Sequence, residues 1–248
     1  MKLENIMPPT SDQMARASGV SKEAAKNWEN YCSACKNRFD LVKSILEREF
    51  NYNLSGKKVL DWGCAAGGVS IMMDDVLPIS VTAADVDEHS LQWLKKTCDN
   101  IDCITLIPGK ALPFEDCSFD AIIGISVLTH IPPDLQEFYL SELHRITGKN
   151  GIVIITVLGE SACDINREKD RNPSKHPHDQ KQLAKQGIIY SSYPEATLSS
   201  MDFSKNTAYG ITYHSRGYIH ENFGRYFYLN SIEESGLPPQ DILVLRPK

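Results

Sequence analysis

An α/β fold with an open, mostly parallel sheet of seven strands and helices on both faces is predicted from three features of the chain. Short apolar runs alternate with helical segments from Lys57 onward. The first run, "KKVLDWGCAAGGVS", ends in an acid and a bend of small residues. Two further strand-like runs close the chain after a long polar interruption.

Residues 1–20 read as irregular, with Pro8 and Pro9 as breakers. From Ser21 to Phe50 breakers are few, and Trp28, Tyr31, Cys35, Phe39, Val42 and Leu46 recur three or four apart. That spacing predicts an amphipathic helix. Residues 1–50 are therefore expected to form a helical cap on a main domain spanning 51–248. After the turn cluster "NYNLSGKK", strands are predicted at Lys58–Trp62, Ser80–Asp85, Cys103–Ile107, Phe119–Ile125 and Ile152–Val157. Helices are predicted at Val69–Asp75, Glu88–Asp99 and Pro132–Thr147. The last has a proline for its first turn and Gly148 as a stop.

Beyond Val157 the rhythm breaks. Residues 158 to about 205 are polar, and "NREKDRNPSKHPHDQKQ" predicts an exposed loop or irregular lid. Residues 158–214 are expected to be an acceptor-binding lid inserted between the fifth strand and the last helix. A helix at Ser215–Tyr226 and strands at Tyr228–Ile232 and Asp241–Leu245 complete the chain.

Twenty-six Lys and Arg against 32 Asp and Glu give a formal net charge of −6 over 248 residues, with no long basic run. Nucleic acid as the main partner gains little support, because phosphate neutralisation needs clustered cations. The start, "MKLENIMPPTSDQM", lacks the apolar core of a secretory signal, and no window has the apolar length of a membrane span. A cytoplasmic protein with no membrane insertion is expected. Seven cysteines, an odd number, suit a reducing compartment. Cys32 and Cys35 share a helix face and lack a second ligand pair, and "KHPHD" with His176 and His178 reads as exposed loop, so no metal site is expected.

Chemistry concentrates at the first bend. A strand interior rejects Asp and Gly, so something other than strand stability selects Asp61, Gly63, Ala65 and Gly67. In an open parallel sheet, ligands bind at the carboxyl ends of the strands, where the chain must be free of side chains for close approach. The next strand, "VTAADVD", ends in Asp85, placed to accept both hydroxyls of a ribose. A pyrophosphate would be repelled by Asp61, and "GCAAGG" puts Ala where the second glycine of a dinucleotide fingerprint belongs. A phosphate-free nucleoside bearing positive charge, S-adenosylmethionine, suits the acid instead.

"VLDWGCAAGG", "VTAADVD", "LPFEDCSFDAIIGISVLTHI" and "GKNGIVIITV" together resemble the class I S-adenosylmethionine-dependent methyltransferases over roughly residues 57–158. The resemblance implies a Rossmann-like fold with S-adenosylmethionine as cofactor. It implies that Asp61 and the bend Gly63, Cys64, Ala65 and Gly67 line the methionine end, that Asp85 binds ribose, and that Val86 meets adenine. Lys110 and Ala111 would pass the adenine edge and Ser126 would sit near the methyl group. The family often has an acid ahead of "LPF"; "IPGKALPF" has none, so backbone groups would hold the adenine amine. Fainter likeness in "SVLTHIPPDLQEFYLSELHRI", "YHSRGYIHENFGRYF" and "QDILVL" points to a branch found beside sugar-transferring enzymes.

A sulfonium methyl is already electrophilic, so the protein must align an acceptor and, for a hydroxyl, supply a base. Two of the seven histidines are candidates: His130, just after the fourth strand, and His214, ahead of a helix capped by Ser215. Tyr190, Tyr213 and Arg216 are candidates for binding a polar acceptor, and Trp28 and Tyr31 for either core or cap. The expected reaction is O-methylation of a small-molecule or glycan hydroxyl. N-methylation of a small molecule or protein, nicotinamide-dependent oxidoreduction and a non-catalytic cofactor-binding module are the alternatives.

Overall fold

The computed structural model describes residues 2–10, 14, 27–163, 180–194 and 209–248. The strands are β1 (Lys57–Trp62), β2 (Ile79–Asp85), β3 (Asp102–Thr105), β4 (Phe119–Gly124), β5 (Thr147–Val157), β6 (Ile188–Ser192), β7 (Gly210–His214), β8 (Phe227–Leu237) and β9 (Gln240–Pro247). Seven of them form one sheet in the order β3-β2-β1-β4-β5-β9-β8, and β6 and β7 form a separate pair. The helices are α1 (Trp28–Glu49), α2 (Gly68–Val76), α3 (Glu88–Thr97), α4 (Pro133–Ile146), α5 (Gln180–Gln186) and α6 (Arg216–Asn222). No described helix is long and apolar enough to cross a membrane.

By contacts the described residues fall into two compact units. One holds the described residues up to Phe114 together with Ser118–Ile123 and Pro194. In it β1 pairs in parallel with β2 on one side and with β4 on the other, so the strand order reverses at β1. Asp120 pins that register, its carboxylate accepting from Lys57 Nζ and from the Lys58 amide, each at 2.9 Å. The strands are filled with Val59, Leu60, Val81, Ala83 and Ala121–Ile123, all essentially inaccessible to water, as a sheet covered on both faces requires. α1 starts where Asn27 caps the Asn30 amide at 3.0 Å and turns Cys32, Cys35, Phe39, Val42, Ile45 and Leu46 inward. Six of the expected helix's residues, 21–26, lie outside the described residues.

The second unit holds Glu115–Cys117, the described residues from Gly124 to Tyr193, and those from Tyr209 on. Here β9 lies antiparallel between β5 and β8, and β6 and β7 form an antiparallel hairpin from Ile188↔His214 to Ser192↔Gly210. The expectation of an irregular stretch from 158 to about 205 is corrected at Gln180–Gln186 and Ile188–Ser192, which are helix and strand; 164–179 and 195–208 lie outside the described residues. Gly148 is not the stop of α4. The helix ends at Ile146, the Thr147 hydroxyl bonds back to Leu143 O at 2.5 Å, and β5 begins at Thr147 itself.

Candidate active site

In the first unit, β1 leads straight into the bend. The amides of Gly63 and Cys64 both donate to Ala84 O, at 2.7 and 3.2 Å, and Gly63, Ala65 and Gly67 are all left-handed, with φ of 73°, 53° and 74°. Left-handed residues at every second position are what small side chains permit. Ala65 is held there by Asp85, whose Oδ2 accepts the Ala65 amide at 2.7 Å while Oδ1 accepts the Asp87 amide at 2.8 Å. The acid at the end of β2 thus ties two loops together. A carboxylate has about four acceptor sites, so these two amides do not exhaust it. Cys64 is buried, its thiol turned toward Ala65 O, and its main chain alone belongs to the bend.

Asp61 lies buried beneath this bend and accepts from the Ser70 hydroxyl at 2.5 Å. Burial pushes its pKa up to about 6, opposed by the Ser70 hydrogen bond and reinforced by the charge of Asp85. Burial likewise raises Asp85, against the pull of the Asp87 and Ala65 amides. Among the described residues no lysine or arginine pairs with Asp61. A desolvated carboxylate without a cation, under a bend without side chains, fits a ligand bearing an ammonium or sulfonium group and no phosphate.

At the ends of the neighbouring parallel strands β2 and β3, Val86 and Ile107 are both exposed, at 43% and 66%. Two large apolar side chains left open beside the acid of Asp85 suit a planar ring. The sequence reading missed Ile107 because it ran the strand through "ITLI"; β3 ends at Thr105, which frees Ile107 toward water. Lys110 and Ala111 are exposed on the turn that follows, where the Lys110 amide bonds to Ile107 O at 3.1 Å. α1 docks directly on the start of α2, because a Cβ at Gly68 would lie 2.4 Å from Cys35 Sγ and 3.1 Å from the Tyr31 hydroxyl. Trp28 stacks on Tyr31 at 5.3 Å and meets Trp93 edge-on at 6.4 Å.

The second unit carries Ser126, His130 and His214. Ser126 follows β4 in a left-handed conformation (φ 60°), its amide donating to Thr156 Oγ1 at 2.7 Å. Gln240 completes the group: its Nε2 reaches Ser126 Oγ at 2.7 Å and its Oε1 accepts from Thr156 Oγ1 at 2.5 Å. Gln240 opens the stretch "QDILVL" but was given no site role there, because its partner Ser126 lies 114 positions away.

His130 Nδ1 lies 2.7 Å from Gly210 O. A carbonyl only accepts, so Nδ1 carries the proton and Nε2 keeps its lone pair. Burial lowers the His130 pKa and the Gly210 bond partly restores it, so the imidazole is neutral near pH 7. Its ring stacks on Tyr209 at 4.4 Å, with Tyr193 5.7 Å from Tyr209. Tyr190 lies across Gly210, where a Cβ would come within 2.6 Å of the ring. His214 differs. It is wholly buried, Nε2 lies 3.3 Å from Gln136 Oε1, Nδ1 has no partner among the described residues, and burial drives its pKa down to about 3. Ser215 caps α6 as expected, accepting from the Tyr218 amide at 3.1 Å.

Residues 59–151 match a family described as a methyltransferase domain. Over 161 residues the chain is 29% identical to phthiotriol/phenolphthiotriol dimycocerosates methyltransferase 1 of Mycobacterium ulcerans, covering 60% of this chain and 58% of that protein. The chain spans 28% to 58% of the length of the leading curated relatives it matches. Among solved structures, the PH0226 protein of Pyrococcus horikoshii superposes with a TM-score of 0.61 at 19% identity, covering 86% of this chain and 91% of that one. The 1,6-didemethyltoxoflavin-N1-methyltransferase of Burkholderia thailandensis, solved with S-adenosylhomocysteine, superposes with a TM-score of 0.55 at 14% identity over 83% of this chain and 76% of that one. At these identities the likeness is one of fold. Residues 59–151 are thus similar to a methyltransferase domain, and the fold shared with these structures extends past the end of that match.

Proposed function

We propose that this chain binds S-adenosylmethionine and methylates a hydroxyl of a small-molecule or glycan acceptor, a sugar hydroxyl being the preferred target. The observation that carries the reading is the buried carboxylate of Asp61 beneath the left-handed bend, with no cationic partner among the described residues. Asp61 and the main chain of Gly63, Cys64, Ala65 and Gly67 would hold the methionine end, Asp85 the ribose, and Val86 with Ile107 the adenine faces. Lys110 and Ala111 would border the adenine and Ser126 the sulfonium. When bound, the cofactor supplies an electrophilic methyl group.

The chain's own part in the chemistry is to align the acceptor and take its proton. We assign the base to His130, because its Nδ1–H is committed to Gly210 O and Nε2 is left as the accepting nitrogen. His214 is enclosed and bonded to Gln136, which suits a brace rather than a base. Tyr193 and Tyr209 beside His130 would offer flat faces to a sugar ring. The helical cap over 1–50 and the acceptor lid over 158–214 belong to the same proposal. All seven cysteines are free thiols, which supports a reducing, cytoplasmic setting.

Calorimetry with S-adenosylmethionine, S-adenosylhomocysteine and a nicotinamide dinucleotide tests the cofactor; binding of the dinucleotide alone overturns it. Transfer of labelled methyl groups to a panel of glycans and small alcohols tests the acceptor. Transfer to amines alone replaces O-methylation with N-methylation, and cofactor binding without any transfer leaves a binding module.

A further inference from the structure

The segment Leu128–Ile131 carries His130 on a single turn, in which the His130 amide donates to Val127 O at 2.9 Å and the Ile131 amide to Leu128 O at 3.4 Å. Four hydrogen bonds grip this turn from outside. Gln136, wholly buried on α4, donates through Nε2 to Leu128 O at 3.1 Å and to Ile131 O at 2.7 Å. Thr212, wholly buried on β7, donates its amide to Thr129 O and its hydroxyl to Ile131 O, each at 2.8 Å.

The orientation of the Gln136 amide is itself determined. Both of its N–H groups are taken by carbonyls, so its oxygen must accept, and His214 Nε2–H is the donor it faces at 3.3 Å. A flipped amide would set oxygen against two carbonyl oxygens. β7 also provides Gly210 O, the acceptor for His130 Nδ1, two residues before Thr212. One strand therefore holds both the imidazole and the main chain beneath it, and a slip of β7 against the turn would misplace the ring and its acceptor together.

From this bracket we infer that Gln136 and Thr212 are positioning residues for His130, keeping the Nδ1–H directed at Gly210 O so that Nε2 stays the proton acceptor. The inference rests on the reading of His130 as the base. Neither residue is assigned any contact with substrate; both act through the main chain that flanks His130, and His214 acts one step further back by orienting Gln136.

The test reads the imidazole directly and needs no acceptor. In the ¹⁵N spectrum of the full chain at about pH 8, above the ordinary histidine range, the signal lost in His130→Gln identifies His130. It should show the Nδ1–H tautomer in the wild type. Thr212→Val removes one hydroxyl at nearly constant volume and should lower the ratio of Nδ1–H to Nε2–H forms by about threefold to tenfold, the range of one hydrogen bond. Thr212→Ser should restore it. Gln136→Leu should act in the same direction; because it empties a buried amide site and could unfold the chain, the Thr212 pair carries the decision. A wild-type tautomer ratio in Thr212→Val, whatever its melting temperature, overturns the positioning role and leaves the base assignment standing. Full methyl transfer by His130→Gln overturns the base assignment, whichever way the tautomer ratio moves.

Discussion

Two buried acids in the first unit and two histidines in the second are shifted by the same force in opposite directions. Burial raises Asp61 and Asp85 and lowers His130 and His214, in each case disfavouring the charged form. The uses differ. On the proposed function, the suppressed charge around Asp61 would be a reserve, regained when a cationic ligand arrives. Around His130 the suppressed charge would be the working state, since a base must arrive neutral. Under that proposal the same desolvation would serve recognition in one region and proton transfer in the other.

The largest effect expected from breaking this contrast lies at His130. His130→Gln keeps a planar amide and a donor toward Gly210 O but has no basic nitrogen. Turnover on a hydroxyl acceptor should fall by about 10²–10⁴-fold, the range for general-base catalysis, with cofactor affinity unchanged. Steady-state kinetics beside calorimetry would check both halves; a loss of cofactor affinity equal to the loss of turnover would make His130 a binding residue.

A second test sets the two regions against each other in stability. Between about pH 4 and 6 the folded Asp61 binds more protons than the unfolded one, so its contribution makes stability fall as pH rises, by about 1.4 kcal/mol per pH unit. His214 has the reverse sign. Its folded pKa lies far below 6.5, so its contribution is complete above that value and is lost as pH falls toward about 3. In the shared window the two slopes oppose. Asp61→Asn should make stability rise with pH more steeply, by about 1.4 kcal/mol per unit, and His214→Gln should tilt it the other way. Denaturation at several pH values reads both slopes; if neither variant changes the slope, these groups are not desolvated as described.

The two regions also differ in how openly the sequence states them. Asp61, the bend and Asp85 lie within 25 positions, and each is a residue type that a strand would reject unless a ligand needed it. That region was legible because its signal is local. His130 depends on Gly210, 80 positions away, and Ser126 on Gln240, 114 away. Gln136 reads as an ordinary polar position on an amphipathic helix, and only the fold shows that it points inward at two carbonyls. The β6–β7 hairpin was missed because "IIYSS" and "GITYH" are too short and too mixed to show alternation, and their pairing spans residues 193–209. β8 ran past its expected end through "EESGL" because one side of that strand is an edge, where polar residues cost little.

The cofactor half can be sharpened through affinity. Asp61→Asn removes the charge and keeps the shape, so S-adenosylmethionine should bind about tenfold to a hundredfold more weakly, the value of a charge-assisted hydrogen bond. Because Asp61 ionises near pH 6, wild-type affinity should rise by roughly tenfold from about pH 5 to 7, and the variant should lose that rise. Calorimetry at the two pH values decides it. An affinity independent of pH in the wild type would mean that the ligand does not use this carboxylate.

The smallest effect, a coupling between substitutions, contrasts two glycines. Gly210 carries no left-handed strain, but a Cβ there would lie 2.3 Å from Ser191 O, a backbone atom that cannot swing away. Gly210→Ala should therefore cost about 2–3 kcal/mol, within the overpacking range, and should also loosen the carbonyl that holds His130. Gly67 is left-handed, and its Cβ would meet the tip of Leu94 at 2.5 Å. The strain is about 1–2 kcal/mol, while the contact can be relieved by a flexible side chain. Leu94→Ala should then be less damaging beside Gly67→Ala than alone, giving a favourable coupling of about 0.5–1 kcal/mol. Tyr190→Ala should recover little beside Gly210→Ala, because the Ser191 carbonyl stays in place. Equal recovery in both pairs would show that space, and not backbone conformation, selects glycine in the two regions alike.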